Sequence, residues 1–81
     1  MNWYKKASPI YDFRHFLRKL KNLGVRFIRH GKGSHDLYGF DDGRIAAIPV
    51  RQGSGTDVPI GLARAIVVKD LKIPWDNFLA A

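Results

Sequence analysis

Two of the chain's three histidines bracket a short polar segment, His30-Gly31-Lys32-Gly33-Ser34-His35. An imidazole titrates near neutrality, so it can take up or release a proton at physiological pH. Lysine and arginine side chains hold anions, and so do backbone amides in a glycine-rich turn. Arg29 and Lys32 supply the cations here, and Gly31 and Gly33 keep the backbone open. Such a set suits the breaking of an RNA chain by its own 2′-hydroxyl. That reaction needs a proton removed from the hydroxyl, charge neutralised on phosphorus, and a proton delivered to the leaving 5′-oxygen. Residue types alone do not separate this chemistry from an ordinary polar turn, and they do not rank His35 above His30. The segment is not a nucleotide-binding P-loop. It lacks that motif's spacing and its Lys-Ser/Thr pair opening a helix.

Charge points the same way. The 81 residues carry 14 Lys+Arg against seven acids, all aspartate, for a net +7, and the isoelectric point is near 10.2. The excess is lopsided. Residues 1–35 hold nine basic side chains and one acid, whereas residues 36–81 hold five basic and six acidic. A pI above about 9 with clustered cations indicates a phosphate-backbone partner. With no cysteine and only three scattered histidines, neither a disulfide framework nor a zinc site is expected. No cofactor is expected either. No apolar run approaches the roughly 20 residues of a membrane span, and no signal peptide is recognisable. The expected location is the cytoplasm.

The elements that would position these residues follow from periodicity. Ser8-Pro9 reads as the opening of a first helix, closed by Gly24. Ile10, Phe13, Phe16, Leu17, Leu20 and Leu23 form its apolar stripe, with Arg14, Arg18 and Lys21 alongside. "VRFIRH" (25–30), "HDLYGF" (35–40) and "RIAAIPV" (44–50) read as three strands joined by "GKGS" and "DDG". "RQGSGTDVPIG" reads as a loop leading to a second helix, with Thr56 or Asp57 as its cap and Pro59 in its first turn. Asp70 falls on that helix's apolar face and needs a partner or a route to solvent. "PWDNFLAA" reads as a final turn packing Trp75 and Phe78 onto the body. The expectation is an α+β fold of order α-β-β-β-α, a three-stranded antiparallel sheet with two helices on one face. One domain is expected, with residues 1–7 an N-terminal extension and 8–78 the core. Apolar residues alternate onto both sheet faces, so the covered face is left open. The other face is expected to meet a partner or a second copy.

"GKGSHDLY", "DDGRIAAIPV" and "VPIGLARAI" together resemble the HicA toxins, small bacterial mRNA interferases on a double-stranded-RNA-binding-like fold. The resemblance runs from about Ser8 to Phe78. It rests on Gly-Ser-His opening the second strand, the "IPV" strand end, and Pro59-x-Gly61 with Arg64 and Ile66 on the second helix. It implies a metal-independent RNA endonuclease of the bacterial cytoplasm, neutralised by a HicB-like antitoxin that covers the active surface. It implies that His35 is the catalytic histidine, with His30 at most a helper. Arg29, Lys32, Gly33, Ser34, Arg51 and Arg64 are then the expected RNA contacts. The second proton transfer is left to His30, Lys32, water or the substrate. Asp36, beside His35, has the wrong sign for RNA unless the strand turns it to the opposite face. Two competing readings are a non-catalytic RNA-binding module and an inactive domain that binds an acidic partner. The first is disfavoured for duplex RNA, because the start of the second helix has Arg64 as its only base.

Overall fold

The computed structural model describes residues 10–49 and 57–81. A short strand β1 (Ile10–Asp12) leads into helix α1 (Phe13–Asn22). Three strands follow, β2 (Arg26–His30), β3 (His35–Gly39) and β4 (Ile45–Pro49). A short strand β5 (Asp57–Pro59) then enters helix α2 (Ile60–Arg64), which continues as a π-helical turn over Ala65–Asp70. Helix α3 (Trp75–Ala80) ends the chain. The expected α+β fold is present: an antiparallel sheet of order β2-β3-β4, whose Ala46 and Ile48 face is packed by the helices. Among the described residues no helix is long and apolar enough to cross a membrane.

The first helix starts later than Ser8-Pro9, which lie outside the described residues. Ile10–Asp12 are extended and pair antiparallel with Asp57–Pro59. The Asp12 carboxylate accepts from the amides of Arg14 and His15 at 3.1 and 3.2 Å, so Asp12 is the cap that frees the first turn from unpaired donors. The same pairing corrects the start of the second helix. Asp57–Pro59 form a strand rather than a cap and first turn, Val58 is buried, and Ile60 begins the helix. Thr56 lies outside the described residues. The β1–β5 ladder joins segments far apart in the chain, pairing Ile10 with Pro59, and three-residue strands carry little periodicity by which to find them.

The end of α1 is as expected. Gly24 adopts φ +93°. Its amide donates to the Lys21 carbonyl and that of Val25 to the Leu20 carbonyl, each at 3.0 Å, the two bonds of a Schellman cap. Phe16 and Leu20 on α1 are buried with Val25, Ala46, Ile48, Ala63, Ile66, Val67, Leu71 and Phe78 in one core. The extra residue in the π-helical turn rotates the following side chains, so Asp70 is exposed while Ile66, Val67 and Leu71 stay buried. The expected final turn is a helix whose Trp75 and Phe78 rings stack at 5.0 Å, with Phe78 also 5.5 Å from Phe16. Lys19, which the sequence does not single out, is nearly buried. Its ammonium donates to the main-chain oxygens of Leu79 and Ala81 at 3.2 and 3.1 Å, tying the last helix to the first.

Candidate active site

The β2–β3 connection sets the position of His35. Gly33 takes φ +64° and no other residue of this turn has positive φ, which is the pattern of a II′ hairpin turn with glycine at its first central position. The His35 amide donates to the Lys32 carbonyl at 3.3 Å, and the Gly31 amide donates to the His35 carbonyl at 2.8 Å. Gly31 is needed for the close approach: a Cβ there would lie 3.0 Å from the His35 carbonyl oxygen. Lys32, Gly33, Ser34 and His35 are all exposed.

A bulge in β2 decides which side chains share a face with His35. Phe27 pairs with Tyr38 and His30 with Asp36, but the register shifts between Phe27 and Arg29. Two residues, Ile28 and Arg29, therefore stand opposite the single residue Leu37. Across β3 and β4, His35 pairs with Pro49, Leu37 with Ala47, and Gly39 with Ile45. Side chains of paired residues share a face, so His35, Leu37, Ile45, Ala47 and Arg29 lie on one side. Asp36, Tyr38, Ala46 and Ile48 lie on the other, against the helices, where Ala46 and Ile48 are buried. Strict alternation along β2 would have placed His30, not Arg29, with Ile28. The bulge exchanges them.

This resolves the two histidines. His30 belongs to the helix side and its ring Nδ1 lies 2.7 Å from the Asp36 carboxylate. It also packs edge-on against Phe27, 5.3 Å between centroids. The ladder thus turns it to the face opposite His35. Asp36, the residue of the wrong sign, is turned away from His35, four-fifths covered, and partnered. Burial, and behind it the charge of Asp36, pushes the Tyr38 hydroxyl above its ordinary pKa.

Of the expected phosphate contacts, the structure brings Arg29 to the His35 face, and Lys32, Gly33 and Ser34 to the adjoining turn. Arg64 sits in the helical layer with its guanidinium 5.0 Å from the Trp75 ring centroid, on the opposite side of the sheet from His35. Arg51 lies outside the described residues. Among the described residues no three His, Asp or Glu side chains gather as a metal-binding group.

The open face is partly apolar. Ile28 and Ile45 are 37% and 43% exposed, and Ala47 is exposed beside them.

A family model described as the HicA toxin of bacterial toxin–antitoxin systems matches residues 13–73. The chain belongs to the HicA toxin family. The match covers α1, the three-stranded sheet and the second helix through the π-helical turn, and His35 lies inside it. No curated protein matches the chain significantly. Two features of this HicA-family chain were missed by sequence reasoning, the bulge and the β1–β5 ladder. A signal for the bulge was present. Phe27 with Tyr38 is an aromatic pair and His30 with Asp36 a hydrogen-bonding pair, three residues apart on one strand and two on the other. Both form only if one extra residue is inserted.

Proposed function

We propose that this HicA-family toxin is a metal-independent RNA endonuclease in which His35 moves a proton at the scissile phosphate. The 2′-oxygen attacks phosphorus and loses its proton. The bond to the 5′-oxygen breaks, and that oxygen gains a proton. His35 carries one of these transfers. Arg29, Lys32 and the amides around Gly33-Ser34 hold the phosphate as negative charge builds on it. With His30 bonded to Asp36 on the other face, the second transfer falls to Lys32, water or the substrate. The observation that carries this reading is the β2 bulge. It sets the cation Arg29 on the face of an exposed histidine, while alternation along β3 turns the neighbouring Asp36 carboxylate to the other face, where the bulge brings His30 opposite it.

The physiological setting in this reading is the bacterial cytoplasm, with mRNA as substrate and a HicB-like antitoxin over the His35 face. The exposed apolar Ile28 and Ile45 give that partner a surface to bury, and the surrounding cations favour an acidic one.

The test is induced expression of the parent and of His35→Ala in a bacterium, read as growth and RNA integrity, with purified protein assayed on RNA in the presence of a chelator. The parent should arrest growth and cut RNA with chelator present. His35→Ala should lose about 10²–10⁴-fold of the cleavage rate with its melting temperature unchanged, since His35 is exposed. Equal arrest by both proteins rejects His35 as the catalyst. Tight binding by the parent without any cleavage supports an RNA-binding module instead.

A further inference from the structure

A groove of about 320 Å³ opens between α1 and β2, on the side of the sheet away from His35. Leu17 and Leu20 form its apolar floor, Phe27 and Tyr38 contribute aromatic rings, Lys21 contributes a cation, and Val25 and Arg26 complete the lining. Its volume is at the small end for ligand sites, enough for one compact group. Phe27 packs edge-on against Tyr38, 5.6 Å between centroids, yet 47% of it remains exposed. The Tyr38 side chain is half-buried, and its hydroxyl is bonded to no described residue. Arg26 is paired with Asp41. Lys21 has no ion pair among the described residues, nor have Arg14 and Arg18, which are exposed in line with it on α1. The groove therefore lies at the end of a row of unpaired cations.

We propose that this groove takes one unpaired base of a single-stranded RNA, stacked against Phe27, with the neighbouring phosphates on Lys21, Arg18 and Arg14. The proposal rests on the reading of the chain as an RNA-acting protein and names a second subsite for that RNA. A flat apolar unit joined to a polyanion matches both halves of the site, the aromatic groove and the cation row. Bases are sequence-tolerant stacking partners for aromatic rings, and cations beside the rings track the backbone. A duplex keeps its bases in the stack and cannot offer one. Tyr38 and His35 are three residues apart on β3, roughly 10 Å along the strand, and on opposite faces. The RNA would thus pass over the edge strand β2, and the base read in the groove is separated from the bond that is cut.

The test uses the full chain and a fluorescent, 2′-O-methylated single strand, with its duplex as comparison, by anisotropy at fixed salt. The methylated strand lacks the attacking hydroxyl, so it survives whichever residue is catalytic. Phe27→Ala and Phe27→Leu should each bind the single strand about tenfold more weakly, the order expected when one base–aromatic stack is lost. Phe27→Trp should stay within about twofold of the parent. Lys21→Gln should weaken binding and flatten its dependence on salt. Duplex binding should not respond to Phe27. The leucine variant keeps apolar packing, so its loss is not a loss of fold. Unchanged affinity in the alanine and leucine variants overturns the proposal, as do equal losses on single strand and duplex. Release of a co-expressed antitoxin by Phe27→Ala, with RNA affinity intact, overturns it in favour of a protein-docking groove. A parent that never cuts RNA but binds it through Phe27 sinks the nuclease reading and leaves the subsite standing.

Discussion

The two hairpins of the sheet are built on the same device and put to opposite uses. Each turn contains a glycine in the left-handed region, Gly33 at φ +64° and Gly43 at φ +96°. In the β3–β4 turn the charged side chains Asp41, Asp42 and Arg44 are all bonded within the fold. The Asp42 carboxylate accepts from the Arg44 amide at 3.1 Å and from its Nε at 2.8 Å. The Arg44 guanidinium also donates to the Leu71 carbonyl at 3.0 Å and covers the Phe40 ring at 4.1 Å. One arginine thus ties the hairpin to the end of the second helix. In the β2–β3 turn, Lys32 and Ser34 make no side-chain bond to any described residue, and His35 stands exposed beside them. Groups satisfied within the fold are unavailable to a ligand, whereas unpaired exposed ones cost little and remain free to bind. The difference leaves the first hairpin's polar groups free for a ligand and commits the second hairpin's to the fold.

Substitutions should separate the two accordingly. The largest stability effect is expected at Gly39, before the second turn. A Cβ there would lie 2.0 Å from the Arg44 carbonyl oxygen, and that oxygen already accepts from the Phe40 amide at 3.0 Å. Backbone cannot yield as a side chain does, so Gly39→Ala should cost about 3 kcal/mol or more. In a domain of 81 residues that is a large share of the total, and urea denaturation should show it. Arg44→Ala comes next, losing a charged hydrogen bond to a carbonyl and a cation–π contact, together about 2 kcal/mol. It should leave cleavage by the folded fraction unchanged. If Arg44→Ala retains the parent's urea midpoint, the second hairpin is not the anchor described.

Gly33→Ala, in the first turn, should do less to stability and more to activity. Nothing lies within 4 Å of a Cβ at Gly33, so the cost is the left-handed backbone alone, about 1 kcal/mol. The same change alters the turn that presents Lys32, Ser34 and His35, so cleavage should fall by more than the unfolded fraction explains. Equal fractional losses of folded protein and activity would deny this turn a role in the site.

How much of this was legible in the sequence depended on the range of the interaction. The helix end at Gly24, both hairpin turns and the α1 stripe from Phe13 to Leu23 are written in residues close together and were read correctly, whereas Ile10, read into that stripe, belongs to β1. The β1–β5 ladder pairs Ile10 with Pro59, and no local pattern signals a partner so distant. Its absence from the reading displaced both helix starts. The bulge was invisible to alternation because alternation assumes one residue opposite one, and it interchanged Arg29 and His30. Lys19 was passed over as one more cation, though only its reach to the oxygens of Leu79 and Ala81 explains its burial. His35 itself came from the order of short motifs, because nothing in its residue type distinguishes it from His30.

The smallest effect expected is electrostatic and confined to the second hairpin. The Arg44 amide, with its guanidinium behind it, holds the Asp42 carboxyl below its ordinary range. A group whose pKa is lower folded than unfolded adds stability wherever it is ionised in both states. That contribution is complete at neutral pH and is lost as pH falls through the folded value. Asp42→Asn keeps an oxygen for the Arg44 amide and removes the charge. The parent should therefore melt slightly higher than the variant at pH 7, and the gap should close as pH drops below the ordinary carboxylate range. The contribution is small because Asp42 is exposed, and salt should reduce it further. A gap that is constant from pH 7 to the acid limit would mean that the amide bond, and not the charge, is what Asp42 gives the turn.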